Sequence, residues 1–289
     1  MTVISTTTFD LTEQPDPYGV AATSDGAVWV TLVHSGAVVR LGPDGSRDRY
    51  PVGSDGCRPS VLAADGATAW FTRTGDDRVT AIDGDGAIRT VDLDSGSGPY
   101  GICVGADGAV WFTESRVDRI GRLDRGGGIS HVSLPSGCFP AALTCGPDGT
   151  VWAALNQADA VARIGSGGEL TIVGLPAGSA PVGITAGADA VWLVEMGAGQ
   201  VARLATDGKL TEYRLPDPSC RPHAIAAGPD GYWFTEWAAG RVGHITGDGT
   251  VTEYALPDAV SEPHGIAVAA DGAVWVAVES GAVVRLARG

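Results

Sequence analysis

Glu262 and His264 flank Pro263 in the run Ser261-Glu262-Pro263-His264-Gly265-Ile266, and they place a carboxylate next to an imidazole. An imidazole titrates near neutral pH and can serve as a general base. Carboxylates beside it, with no cysteine nearby, suit a hard cation such as Mg2+ whose shell is completed by water and substrate oxygens. The run reads as extended, which would set both side chains on one side of a strand. Pro263 is expected to push Glu262 toward extended geometry and so to preorganise the pair. A related run, Arg221-Pro222-His223-Ala224-Ile225, lies upstream, with its proline 41 positions before Pro263.

The elements that must hold these residues follow from that interval. Prolines recur at 17, 59, 99, 140, 181, 222 and 263, and a tryptophan stands eleven or twelve residues after each, at 29, 70, 111, 152, 192, 233 and 275. Within a unit, a short apolar run such as Gly101-Ile102-Cys103-Val104 leads through an Asp-Gly turn to Ala109-Val110-Trp111-Phe112-Thr113, the pattern of two antiparallel strands. Two more runs complete four strands, as in Arg119-Ile120-Gly121-Arg122-Leu123 followed by Gly128 to Pro135. Four short strands repeated every ~41 residues are the signature of a propeller blade. The fold class is therefore all-β, a seven-bladed β-propeller occupying residues 1–289 as a single domain. The last unit ends after its third strand, and the run Thr6 to Leu11 resembles the fourth-strand runs Leu210 to Leu215 and Val251 to Leu256. We expect that N-terminal run to complete the last blade and remove an open sheet edge. The seven repeated tryptophans are expected to pack between blades.

Repetition also separates scaffold from site. After the seven prolines come Tyr18, Ser60, Tyr100, Ala141, Val182, His223 and His264, so only the last two blades offer histidine. Before them come Asp16, Arg58, Gly98, Phe139, Ala180, Arg221 and Glu262, and Glu262 is the only glutamate. Glu114, Glu195 and Glu236 fall three residues after their tryptophans, but Glu279 falls four after Trp275. That offset turns Glu279 to the other side of its strand. Residues beside the prolines and at the end of the second strands should meet at one mouth of the central channel, gathering His223, Glu262, His264 and Glu279. His244 occupies the slot that other blades fill with arginine and reads as structural, and neither His34 nor His131 is given a role.

Composition narrows the partners. The net charge of −15 disfavours nucleic acid and anionic membranes, which require basic patches. Part of that acid is structural, because twelve Asp-Gly dipeptides stand where tight turns need positive φ. The chain carries 43 glycines, yet 44% of it is hydrophobic, which excludes disorder and a collagen-like fibre. Five cysteines without metal-ligand clustering read as reduced thiols. No apolar run approaches the ~18 residues of a membrane span, and Met1 to Ser5 carries no secretory pattern. The expectation is a cytoplasmic monomer.

The runs Arg-Pro-His-Ala-Ile at 221–225, Glu-Pro-His-Gly-Ile at 262–266, Trp-Phe-Thr-Glu-Trp at 233–237 and Trp-Val-Ala-Val-Glu at 275–279 resemble the streptogramin B lyases, also called virginiamycin B lyases, across the whole chain. The resemblance implies a Mg2+-dependent lyase acting on a small cyclic depsipeptide, with antibiotic resistance as its outcome. It implies His264 as general base, Glu262 and Glu279 as metal ligands, His223 in contact with substrate, and Tyr18 lining the same mouth. Two other classes stay open: a propeller that binds a protein or glycan without chemistry, and a metal-dependent lactonase or other hydrolase on the same fold.

Overall fold

A computed structural model describes residues 4–11, 16–257 and 261–288. It contains seven four-stranded antiparallel sheets, six of them built from consecutive strands. The first strands, which line the channel, are Pro17–Ala22, Pro59–Asp65, Pro99–Val104, Pro140–Cys145, Pro181–Ala186, Pro222–Gly228 and Pro263–Val268. We number the blades one to seven in that order. Blade seven continues with Val274–Val278 and Ala282–Arg288, and its outermost strand is Ile4–Asp10 from the other end of the chain. The pairing runs from Ile4 opposite Arg288 to Asp10 opposite Ala282. Leu11 then donates its N–H to the Gly281 carbonyl, as Leu134 does to Asp118 in blade three. The N-terminal segment thus takes the hydrogen bonds of a regular fourth strand.

The tryptophans sit between blades. Trp29 of blade one packs with Leu62, Phe71 and Ile82 of blade two, and Trp192 of blade five packs with Ile225, Phe234 and Ile245 of blade six. Their outer faces carry arginine guanidinium groups, as with Arg122 over Trp111 and Arg285 over Trp275. His244 takes that position on Trp233, with ring centroids 4.5 Å apart, which bears out its structural reading. Second and third strands are almost wholly buried and fourth strands are mostly exposed, so apolar content falls from channel to rim.

The cysteine reading needs correcting at two positions. Cys103 and Cys145 form a disulfide, with Cα atoms 6.1 Å apart, between the first strands of blades three and four. They are 42 residues apart, about one repeat, and only the propeller makes them neighbours. Cys57, Cys138 and Cys220 are free and buried. Among the described residues no helix is long and apolar enough to cross a membrane.

Candidate functional site

All seven pre-proline residues adopt positive φ, from 43° at Ala180 to 73° at Asp16, and Glu262 is at 61°. The expected extended geometry at Glu262 is therefore wrong. Proline bars its predecessor from the right-handed helical region, but the left-handed region meets the need of the repeat. In every blade the pre-proline carbonyl accepts the N–H of the first residue after the second strand. In blade seven that bond joins the N–H of Glu279 to the carbonyl of Glu262, 3.2 Å apart. The two candidate ligands are thus held together by scaffold geometry rather than by alternation along a strand. A non-glycine residue in this conformation costs ~1–2 kcal/mol, which packing and the repeated bond must offset.

The offset of Glu279 behaves as expected. Glu114, Glu195 and Glu236 end their strands with 0% exposure. Glu114 is bonded to Arg119 and Glu195 to Gln200. Burial, with Glu253 nearby, pushes Glu236 up to about 7. These three do not reach the mouth. Val278 fills their slot in blade seven, and Glu279 follows it with its side chain 27% exposed.

His264 is buried behind that carboxylate, and its Nε2 lies 2.6 Å from Glu279 Oε2. A carboxylate only accepts, so Nε2 carries the proton in this arrangement. Nδ1 is buried without a hydrogen-bond partner. Burial lowers the His264 pKa, and the hydrogen bond and charge of Glu279 and the charge of Glu262 oppose the shift without cancelling it. Backbone contacts fix the strand. Thr235 of blade six donates to the His264 carbonyl at 2.9 Å. A Cβ on Gly265 would lie 2.6 Å from the Tyr18 carbonyl, so only glycine lets blades seven and one approach this closely.

That approach lays the Tyr18 ring on His264, with centroids 4.5 Å apart. His223 stands edge-on to His264 at 4.8 Å. Burial, then the nearby His264, pushes His223 down to about 3, so it is neutral at physiological pH. The five residues expected at the mouth therefore do meet there. Three more join them that sequence reasoning left without a role. Tyr100 bonds its hydroxyl to that of Tyr18 at 2.6 Å. Trp237, with Arg221 over its ring at 5.9 Å, lies 6.4 Å from His264. His34 of blade one brings Nε2 to 3.9 Å from Glu279 Oε1. A signal for His34 existed: in the second position after the second strand, the other blades carry Gly75, Arg116, Gln157, Gly197, Ala238 and Ser280. His131, by contrast, faces Glu114 at 3.3 Å on the outer part of blade three.

The donor set fits a hard, weakly held cation. The Glu262 side chain is exposed and makes no hydrogen bond or ion pair to the described residues. Glu279 keeps Oε1 free of any hydrogen bond shorter than its 3.9 Å approach to His34. Among the described residues no group of three His, Cys, Asp or Glu side chains could hold a metal alone. Two carboxylates leave most of an octahedral shell to water or substrate, as Mg2+ prefers.

The profile of the virginiamycin B lyase family matches residues 4–286. Curated relatives of that name match over short stretches. The enzyme from Mycolicibacterium vanbaalenii is 64% identical over 60 residues, which are 21% of this chain and 20% of that protein. The one from Bordetella parapertussis is 44% identical over 45 residues, 16% of this chain and 15% of that protein. The matched sequence thus spans about a fifth or less of these relatives. Likeness of structure extends further. A streptogramin B lyase superimposes with a TM-score of 0.93 at 35% identity, covering 99% of this chain and 98% of the other. A catalytically inactive histidine-to-alanine form of the Staphylococcus aureus virginiamycin B lyase, with quinupristin, gives 0.92 at 34% identity, covering 98% and 99%. On the match over nearly its whole length, the chain belongs to the virginiamycin B lyase family.

Proposed function

We propose that the protein opens the ring of type B streptogramins by elimination at the threonyl ester, adding no water, and so inactivates the antibiotic. The observation that carries this reading is the buried His264 imidazole hydrogen-bonded to Glu279 beside the open carboxylate of Glu262. Family membership supplies the substrate class, and the inactive histidine-to-alanine relative with quinupristin supports a mechanism that depends on one histidine.

The chemistry follows from the residues. In the substrate the ester oxygen sits on the threonine Cβ, next to an acidifiable Cα–H. His264 takes the Cα proton, the electron pair forms the Cα=Cβ bond, and the Cβ–O bond breaks to release the carboxylate. The proton must arrive at Nε2, because Nδ1 faces the protein interior. Before that, Glu279 must turn its Oε2 away and the resting Nε2 proton must be exchanged through water for one on Nδ1, so that the neutral ring presents its lone pair at Nε2. Mg2+ held by Glu262 and Glu279 would supply positive charge for the enolate-like oxygen that develops as the proton leaves. His223, neutral and beside the base, can donate one hydrogen bond to a substrate carbonyl or to the departing carboxylate. Trp237 and Arg221 offer a flat, cationic platform on the exposed side.

The test is incubation with quinupristin and Mg2+, followed by mass and absorbance measurement. The expected product is linear, has the mass of the intact ring and carries a dehydrated threonine that absorbs in the near ultraviolet. A product heavier by one water makes the protein a hydrolase. No product, with quinupristin still bound, makes it a binding propeller.

A further inference from the structure

The residues that follow the seven prolines form one layer across the channel mouth, and four of them are aromatic: Tyr18, Tyr100, His223 and His264. Tyr100 belongs to blade three, two blades away from Tyr18, and the residue between them is the small Ser60, whose hydroxyl bonds to Thr74 and to the Arg58 carbonyl. The gap lets the two phenols meet at 2.6 Å, with the rings edge to face and centroids 6.4 Å apart. Tyr100 is itself rooted: its carbonyl accepts from Thr72 at 2.6 Å, and the adjacent Pro99 carbonyl accepts from Thr74 at 2.6 Å.

An active histidine is usually oriented by a hydrogen bond on its second nitrogen. His264 has none, since Nδ1 lacks a partner. What rests on its ring face is Tyr18. We propose that Tyr100 is a positioning residue of the site, which sets the plane of the His264 ring by holding Tyr18 against it. Next to the phenol pair lies a cavity of about 190 Å³ whose lining is largely aliphatic, with Val61, Leu62, Ile102, Leu143 and Ile184, and which His223 and the two tyrosines also border. A Tyr18 hydroxyl deprived of Tyr100 faces either the aliphatic part of that cavity, where an unpaired hydroxyl is costly, or rotation toward His223 or water, which moves the ring from its place on His264. Either outcome loosens the base. Among the described residues, Tyr100 makes its side-chain hydrogen bond to Tyr18 and none to Glu262, Glu279 or His264.

The kinetic consequence rests on the proposed function, but the positioning does not, and the experiment separates them. The three variants Tyr100→Phe, Tyr18→Phe and the double variant are compared with the unaltered chain by NMR of the His264 ring protons, without substrate. Displacement of the Tyr18 ring, which lies 4.5 Å from His264 at a tilt of 32°, should shift those resonances in Tyr100→Phe. Unshifted resonances in that variant overturn the proposal, whether or not the protein proves to be a lyase. With quinupristin and Mg2+, Tyr100→Phe should lower kcat about fivefold to tenfold with little change in KM, the size expected for one lost hydrogen bond felt in the transition state. Because Tyr100 acts through Tyr18, the double variant should be no slower than Tyr18→Phe alone. Losses that multiply would show an independent role and refute the assignment. A Tyr100 that is only structural would lower Tm while leaving the His264 resonances and kcat in place.

Discussion

One imidazole is asked to do two things that exclude each other, and the conflict makes Glu279 the residue to test. While Glu279 Oε2 holds the Nε2 proton, His264 has no accessible lone pair; it gains one only when the carboxylate turns away and the ring proton moves to Nδ1. Glu279→Gln keeps the shape and one acceptor oxygen but removes the charge. It should weaken Mg2+ binding at least tenfold by titration calorimetry with Tm nearly unchanged, because glutamine keeps the side chain's shape and an oxygen that can accept from His264 Nε2. Full-strength Mg2+ binding in that variant would remove Glu279 from the ligand set. His264→Ala should leave Mg2+ binding in place and lower kcat by ~10²–10⁴, the usual weight of a general base. At this scale the sequence showed much. A single-residue offset separated Glu279 from Glu114, Glu195 and Glu236, and the structure buries those three while leaving Glu279 at the mouth. It misled at Glu262, because the rule for residues before proline says which region is barred and not which of the remaining ones a tertiary hydrogen bond will select.

At the scale of the element, the approach to three of the prolines is tied down by the residue just before the third strand of the preceding blade. Asp77, Asp118 and Asp159 stand there in blades two, three and four, each with positive φ. Each carboxylate accepts two backbone N–H groups, from Gly137 and Phe139 in the case of Asp118. In blades five, six, seven and one the slot holds Gly199, Gly240, Gly281 and Gly36 instead. Glycine offers no such carboxylate, so the turn that ends at Arg221 lacks the anchor found at Asp77, Asp118 and Asp159. Burial pushes the Asp118 carboxyl up, but the N–H groups of Gly137 and Phe139 and the Cys138 thiol outweigh it and hold its pKa below the usual value. A depressed carboxylate adds stability above its unfolded pKa near ~3.9, and that stability is lost as pH falls through the lower folded value. Asp118→Gly copies the other blades without backbone strain. At pH 7 it should lower Tm by about 2–4 °C, the effect of ~1 kcal/mol once exposure is discounted. The gap should narrow as pH falls below about 4 and close only below the depressed folded pKa, where the carboxylate is protonated in both states. An equal gap at pH 7 and pH 3 would mean that the charge contributes nothing. Strands and blade number were legible because period-two alternation and the proline and tryptophan intervals are local signals. The anchors were not, since each joins residues 19 and 21 positions apart. The Cys103–Cys145 bond was hidden for the same reason: only stacking of adjacent blades brings the pair together.

At the scale of the molecule, the site exists only because the ring closes. Tyr18 and His34 belong to blade one, and His264 and Glu279 to blade seven, so residues at opposite ends of the chain share one mouth. Closure depends on Ile4–Asp10 pairing with Ala282–Arg288. Phe9 packs there with its ring 5.2 Å from Trp275 and the Arg47 guanidinium 5.8 Å from its centroid. Leu11, only 5% exposed, joins the core that blades seven and one share. Removing residues 1–11 strips one apolar face from that core and opens a sheet edge. At ~1.5–3 kcal/mol for each large apolar side chain lost, the cost is on the order of 5 kcal/mol, or more than 10 °C in Tm. Should the truncated chain not fold, Phe9→Ala provides a milder probe, with an expected loss of about 2 kcal/mol, less than the ~3–5 kcal/mol of a fully buried ring because Phe9 is only partly buried. A circular permutant discriminates further. Joining residue 289 to residue 1 through a short loop and opening the chain between residues 13 and 14 turns the two paired strands into an ordinary hairpin. If closure works only through the pairing observed, the permutant should match the natural order in Tm and retain its Mg2+ binding. A permutant that folds yet loses Mg2+ binding would mean that the path of the chain through residues 12–15, and not the pairing alone, holds blade one against blade seven.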